Sequence, residues 1–122
     1  MKNLIFILGM VLLAFSCKNA PQKNGNDDLT VAKNLYENYI EGEISKCSLE
    51  GKTYWMGALN APDAGSEVFD ATGKKVGACY HSTNSVDDIC GQLDQSGNCQ
   101  VVYRMAKNIW GKPAVDTYGL GE

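Results

Sequence analysis

The cysteines constrain this chain more than any other feature of its sequence. Among its 122 residues are five cysteines, and the first, Cys17, directly follows a short apolar segment. The other four are spread over the rest of the chain without a C-x-x-C pair: Cys47, Cys79, Cys90 and Cys99. In an oxidising compartment an even set of this kind predicts two disulfide bonds. We therefore expect a small fold braced by covalent cross-links.

Residues 1–16 have the three parts of a secretory signal peptide. Basic Lys2 precedes an apolar run over residues 4–15, and the small Ser16 stands directly before Cys17. At 1.5 Å per residue this run would span roughly 18 Å, short of the roughly 30 Å hydrocarbon layer, which argues against a transmembrane helix. We therefore predict export, with Cys17 acylated as the first residue of a bacterial lipoprotein. The alternative is ordinary cleavage after Ser16, which leaves Cys17 as a free thiol.

Acylation predicts an extracytoplasmic protein that is held at a bacterial membrane by its lipid anchor. By resemblance to enteric lipoproteins, Lys18 after the acylated cysteine favours the outer membrane. The formal net charge is −3 and no basic patch occurs, which argues against nucleic acid as a partner. Residues 17–28 hold no bulky apolar side chain, so they predict the lipidated cysteine with a flexible tether, followed by one small domain over residues 29–118.

A helix is predicted at the start of this domain. Asp28 or Thr30 is the expected N-cap and Gly42 the expected stop. The apolar residues share one face at i, i+3, i+4 and i+7 spacing: Ala32, Leu35, Tyr36, Tyr39 and Ile40. Such a face is typical of a helix packed on its own sheet, and the alternative is a helix that binds a partner.

Two hairpins are predicted after the helix. Strands over 44–49 and 52–56 flank Glu50-Gly51, and strands over 67–70 and 74–80 flank a three-residue turn that ends in Gly73. Residues 82–98 show little periodicity, residues 100–110 fit a strand or a short helix followed by a strand, and the tail around Pro113 and Gly119 is expected to be loose. The fold class is α+β: an N-terminal helix packed on a small antiparallel sheet of about four strands, stabilised by disulfides.

Disulfides are the favoured role for the four later cysteines. Their irregular spacing and the presence of a single histidine, His81, argue against a zinc site. Four cysteines permit three pairings, and the sequence does not decide among them. We favour Cys90–Cys99, which closes a polar loop, and Cys47–Cys79, which joins two strands.

No residue pattern in the chain predicts catalysis, a metal ion or a cofactor. His81 has no activated nucleophile beside it, and Ser82 and Ser85 lie outside any G-x-S-x-G turn. The aspartates lie in loops without the spacing of a calcium-binding loop, and Asp70 and Asp94 have the positions that tight turns favour. These carboxylates are therefore interpreted as turn residues.

Adjacent aromatic residues offer a possible binding surface. Tyr54 and Trp55 are neighbours on a predicted strand, so their side chains point to opposite faces of the sheet. One of the two rings must therefore point outward, where it could stack on a sugar or anchor a protein partner. The alternative is that both rings pack against neighbouring strands.

Short motifs over residues 44–110 carry a resemblance to a known family. They are Ile44 with Cys47, Gly51-Lys52-Thr53-Tyr54, Asp63, Val68-Phe69-Asp70-Ala71-Thr72-Gly73 leading to Cys79, and Ile109-Trp110. On these motifs the chain resembles a family of small, uncharacterised bacterial lipoprotein domains. In that family the hairpin usually reads V-Y-D-x-x-G, so Phe69 is a departure, and residues 81–88 replace a Gly-Gly loop. The resemblance implies a small extracytoplasmic domain and assigns no activity, cofactor or functional residue.

The sequence favours a non-enzymatic binding module at the cell envelope. Its expected partner is an envelope protein or a glycan. The alternative is a small secreted-type inhibitor of a protease or another hydrolase, which would need a rigid protruding loop over residues 86–98. An enzyme is not expected, because a domain of this size offers no convergent acid, base and nucleophile.

Overall fold

A computed structural model describes residues 25–80 and 88–122 of the chain. Six strands form one antiparallel sheet in the order β4-β3-β2-β1-β5-β6. The elements are α1 (Gly25–Tyr39), β1 (Gly42–Leu49), β2 (Lys52–Leu59), β3 (Ser66–Phe69), β4 (Lys75–Cys79), α2 (Asp88–Ser96), β5 (Asn98–Arg104) and β6 (Val115–Asp116). Within the two described ranges, no helix has the length and apolar character needed to cross a bilayer.

The predicted α+β class with two disulfides is confirmed, but its details need correction. The sheet has six strands instead of about four, and a second helix, α2, is present. The first helix does not stand at the N-terminus of the chain, since it begins at Gly25, inside the segment predicted as a tether. Asp28 is therefore a residue of α1 and not its cap. The predicted signal peptide, Cys17 and His81 lie outside the described residues.

The two helices cover opposite faces of the sheet. Side chains alternate between the faces along each strand, so each face contributes its own core. The core under α1 consists of Val31, Ala32, Leu35, Tyr39, Ile44, Trp55, Val102 and Tyr103. The core under α2 consists of Cys47, Leu49, Val68, Cys79, Cys90 and Leu93. The result is a three-layer domain in which both faces of the central strands are buried.

The α1 face largely matches its sequence pattern, with one correction. Ala32, Leu35 and Tyr39 are buried as predicted, whereas Ile40 is 49% exposed. The helix ends at Tyr39, so Ile40 lies in the turn to β1 and no longer follows the helical face. The carbonyl oxygen of Ile40 accepts a hydrogen bond from the Tyr103 hydroxyl at 2.6 Å, which fixes the end of α1 on the sheet.

Local turn chemistry confirms both predicted hairpins. Glu50 and Gly51 have φ values of 50° and 76°, as a two-residue type I′ turn requires. In the second hairpin Gly73 has φ 89°, and the Asp70 carboxylate accepts hydrogen bonds from the Thr72 hydroxyl at 2.6 Å and from two backbone amides. The bond from the Thr72 hydroxyl is the main reason why the pKa of Asp70 lies below its usual value.

The disulfide pairing differs from the one favoured from sequence. Cys47 bonds to Cys99 and Cys79 bonds to Cys90, so the expected pairs Cys47–Cys79 and Cys90–Cys99 are wrong. The reason is strand order. β5 lies beside β1 and places Cys99 directly opposite Cys47, with 4.0 Å between their Cα atoms. The second bond ties the end of edge strand β4 to α2.

The C-terminal third is more ordered than predicted. Residues 88–96 form α2, although their sequence shows little periodicity, and no strand continues from β5 to Trp110. The tail forms β6, after which Tyr118 and Leu120 pack on the core under α1. Asp116 holds this tail, because its carboxylate accepts hydrogen bonds from the backbone amides of Leu120 at 2.7 Å and Gly121 at 2.9 Å.

Replacing Gly57 with alanine is expected to lower the free energy of unfolding by about 1–3 kcal/mol. A Cβ atom on Gly57 would lie 2.3 Å from Cζ of the buried Tyr39 ring, so helix and sheet would have to separate. Urea denaturation of the purified protein measures the loss. Gly91→Ala is the control, because a Cβ there meets no described atom within 4 Å. Equal stability of the Gly57→Ala variant and the parent protein would contradict this packing.

Candidate binding surface

The structure removes one of the two aromatic candidates from the surface. Trp55 has an exposed fraction of 0% beneath α1, and no described residue accepts a hydrogen bond from its Nε1. Tyr54 is half-buried and packs on the core under α2. Trp55 is therefore not an outward ring, and Tyr54, on the opposite face, is only partly exposed because it packs on the core under α2. The aromatic pair therefore holds the three layers together.

Several charged side chains of the described ranges take part in turns and ion pairs. Asp28 pairs with Lys46 beneath α1, and Glu43 accepts a hydrogen bond from Arg104 Nε at 2.5 Å. Lys46 Nζ also lies 6.0 Å from the centroid of the Trp55 ring. Among residues 25–80 and 88–122, no group of three or more His, Cys, Asp and Glu side chains is arranged to hold a metal ion. These contacts hold α1 on the sheet and link β1 to β5.

Buried tyrosines add hydrogen-bond donors to the core. Burial, and then the nearby Glu67 carboxylate, raises the pKa of Tyr39 far above its usual value. Burial is also the main cause of the raised pKa of Tyr103 and of Tyr118. The neutral Tyr103 hydroxyl is the donor to the carbonyl oxygen of Ile40.

One end of the sheet exposes three large aliphatic side chains. Ile40 is 49% exposed, Leu59 is 47% exposed and Ile109 is 52% exposed. Gly42 and Leu59 are Cα partners where β1 begins and β2 ends. Asn60, next to Leu59, bonds to the backbone of Glu41 and of Ile109, so all three aliphatic residues lie at this end of the sheet. We call this surface, together with Trp110, the apolar end. Sequence reasoning missed it, because it placed Ile40 on the buried helix face and Ile109-Trp110 in a closing strand.

A shallow cavity of about 240 Å³ forms the centre of the apolar end. It lies between the loop over residues 60–65 and the loop after β5. Its apolar lining consists of Leu59, Ala61, Pro62, Ala64, Ile109 and Trp110. Small side chains on one wall and large ones on the other leave a recess in which a side chain from another molecule would fit.

Two asparagines give the apolar end a fixed shape. Asn108 Nδ2 donates to the carbonyl oxygens of Met105 and Lys112, both at 2.8 Å, and its Oδ1 accepts from the Lys112 amide at 3.1 Å. Asn60 Oδ1 accepts from the Ile109 amide at 2.6 Å, and the Asn60 amide donates to the Glu41 carbonyl oxygen at 2.9 Å. These bonds tie the loop that carries Ile109 to β2 and to the end of α1. The exposed side chains are therefore presented on a pre-organised backbone.

The apolar end lies far from the start of α1. A two-residue connection joins Tyr39 to β1, so α1 runs back over the sheet and its first turns lie toward the hairpin turns. Two contacts agree with this direction. Asp28 pairs with Lys46, and a Cβ on Gly73 would lie 3.5 Å from Val31 Cγ1. Gly25, the first residue of α1, therefore lies toward the end opposite Leu59 and Ile109.

A second, larger cavity of about 460 Å³ lies between α2 and the sheet. Its walls include Met56, Tyr80 and Leu93, and cysteines of both disulfides line it. Gly91 and Asp94 of α2 lie on the same wall. The two cavities share Ser66 in their linings but open on different parts of the domain.

In comparisons with protein-family models, curated proteins and solved structures, nothing matches this chain. A functional assignment must therefore come from the two surfaces described above. The apolar end combines exposed aliphatic side chains with a hydrogen-bonded backbone. The cavity beside α2 combines apolar walls with a single charged group, Asp94.

Proposed function

We propose that this protein is a lipid-anchored, non-enzymatic module of the bacterial cell envelope that binds another envelope protein through its apolar end. The observation that carries the proposal is the set of exposed side chains of Ile40, Leu59 and Ile109 on a hydrogen-bonded loop. Exposed apolar side chains gathered at one end of a domain are typical of interaction sites. Its fixed backbone supports the proposal further, because an ordered surface loses little conformational entropy on binding.

A protein partner fits the apolar end better than a glycan does. Its exposed side chains are mainly branched aliphatic groups, which pack against other apolar side chains in the centre of protein interfaces. Trp110 beside the recess adds an aromatic group of the kind that contributes most to binding energy. We therefore commit to a protein with an apolar side chain that enters the recess between Pro62 and Ile109.

The proposed anchor leaves the apolar end accessible to a partner. Residues 18–24, between the proposed lipid at Cys17 and the first residue of α1, reach at most roughly 25 Å. The strand β1 alone is eight residues long, or roughly 26 Å. A tether about as long as the domain would therefore leave the apolar end free to meet a partner. Disulfides suited to an oxidising compartment support export.

The inhibitor hypothesis receives less support. It needs a protruding loop over residues 86–98, and the described part of this segment forms α2 and the first residue of β5. Cys90 and Leu93 bury α2 against the sheet. A helix in this position presents no extended segment to the active site of a hydrolase.

Photo-crosslinking in the native envelope tests the proposal. With p-benzoylphenylalanine at position 109 we expect one dominant protein adduct, and we expect Leu59→Asp to remove it. Position 76 is the matched control, because Val76 is 44% exposed on β4, away from the apolar end. Leu59→Asp should change the free energy of unfolding by no more than about 0.5 kcal/mol, so the loss would not reflect misfolding. The same adduct from positions 109 and 76, or none from position 109, would overturn the proposed surface.

The anchor has an independent test. Intact mass of the protein extracted from membranes should correspond to a chain that begins at an acylated Cys17. Cys17→Ser should release the domain from the membrane fraction without changing the stability of the fold. Unmodified Cys17 in the membrane fraction would overturn the anchor and leave the surface proposal standing.

A further inference from the structure

We propose that the cavity between α2 and the sheet is a binding site for a small organic cation with an apolar body, such as an alkylammonium ion. This site is separate from the apolar end and does not depend on the proposed function. Its volume of about 460 Å³ lies within the range of small-molecule sites. It has the usual composition of such sites, apolar walls with few polar groups.

The walls of the cavity suit an alkyl or aryl group. Met56 and Leu93 supply aliphatic surface, and the Tyr80 ring supplies an aromatic face. The Cys79–Cys90 disulfide joins β4 to α2 across the cavity wall and so fixes the distance between the two walls. Aromatic rings and polarisable sulfur atoms are favourable neighbours for the methyl groups of an alkylammonium ion.

Gly91 keeps space open beside the cavity. It lies inside α2, where glycine is less stable than alanine because it loses more backbone entropy on folding. Its backbone is not in the left-handed region, and a Cβ atom there would meet no described atom within 4 Å. Neither conformation nor crowding therefore requires glycine at this position. A side chain at position 91 would instead reduce the open volume along the cavity wall, which Asp94 also lines.

Asp94 selects the charge of the ligand. It is the one charged side chain among the described lining residues, and it lies three residues after Gly91, on the same face of α2. The ion pairs found among the described residues do not include it. The exposed Asp94 carboxylate beside apolar walls attracts a cation and repels an anion, so the site favours cations over fatty acids and other carboxylates.

Titration of the full-length protein with hexyltrimethylammonium tests the site. Amide signals of α2 and of residues around Met56 should shift in a saturable way in two-dimensional NMR spectra. Hexanoate has the same chain with the opposite charge, and tetramethylammonium has the cation without the apolar body. Neither should produce these shifts at the concentration that saturates hexyltrimethylammonium. Equal binding of hexanoate, or no saturable shift with hexyltrimethylammonium, would overturn the proposal.

Two variants locate the binding. Asp94→Asn should weaken the affinity about two- to fivefold, as expected for one exposed charge pair. Gly91→Leu should abolish the shifts while its melting temperature stays the same or rises, because the side chain fills open space. Gly91→Ala tests helix propensity alone and should retain binding. A Gly91→Leu variant that melts at a lower temperature would show that the space is already filled. A Gly91→Leu variant that binds as well as the parent protein would place the ligand elsewhere. Either result would overturn the site.

Discussion

Replacing Trp55 with alanine is expected to lower the free energy of unfolding by about 3–5 kcal/mol. Trp55 is the largest of the fully buried side chains and lies between the sheet and α1. Its loss would leave a cavity among Leu35, Ile44 and Tyr103 and would remove the ring beneath Lys46. Small domains have total stabilities of about 5–15 kcal/mol, so this loss is a large share of the total.

The second tryptophan provides the matched control. Trp110 is partly exposed in the loop after β5, so Trp110→Ala should reduce stability far less while removing part of the apolar end. Trp55→Phe should fall between the two, because it loses ring volume but also removes an indole N–H that has no described partner. Urea denaturation followed by circular dichroism measures all three variants. Equal losses at positions 55 and 110 would contradict the buried placement of Trp55.

Removing the Cys47–Cys99 disulfide is expected to cost about 4 kcal/mol, and removing Cys79–Cys90 about 3 kcal/mol. The difference follows from the loops that the bonds close, since the sequence separations are 52 and 11 residues. A longer loop restricts the unfolded chain more strongly when it is closed. Each pair should be replaced by two alanines, so that no free thiol remains to exchange with the other bond.

Peptide mapping and denaturation test the two bonds together. Digestion without reduction should yield one cross-linked peptide that contains Cys47 with Cys99 and another that contains Cys79 with Cys90. The double variants should then rank in the stated order in urea, with Ser45→Ala as a control that keeps both bonds. A Cys47–Cys79 peptide would contradict the strand order as well as the pairing.

The parts of the fold that sequence predicted well depend on neighbouring residues. Glu50-Gly51 and Asp70 with Gly73 determine their turns through backbone conformation and hydrogen bonds within four residues. The apolar face of α1 is equally local, since it repeats within two turns of helix. These signals are strong because few other local conformations meet the backbone and hydrogen-bonding requirements of these residues.

The errors concern contacts between distant parts of the chain. The cysteine pairing depends on β5 lying beside β1, which no residue near Cys47 reveals. The burial of Trp55 depends on helices on both faces, and α2 has too short an apolar pattern to be recognised, with Ile89, Cys90 and Leu93 as its packed residues. The tail was predicted to be loose from Pro113 and Gly119. The bonds that hold it originate at Asp116, in a two-residue strand that the local sequence does not reveal.

The candidate site was missed for the same reason. Ile109 lies in a sequence that fits a strand, and its exposure results from hydrogen bonds that Asn108 and Asn60 make across the fold. Asparagine within a polar loop is too common to predict such a network. An aliphatic residue directly after asparagine and before Trp110 and Gly111 is the one local sign that the loop is not simply a solvated connection.

Both disulfides fasten strands or α2, whereas α1 contains no cysteine. A pulling force applied through the N-terminal chain would therefore detach α1 first, while the cross-linked sheet kept its strand order. Fifteen helical residues drawn out from 1.5 Å to about 3.4 Å each would add roughly 28 Å of slack. If the chain is anchored through a lipid at Cys17, this extension would lengthen the connection between the anchor and the sheet before the sheet itself unfolds.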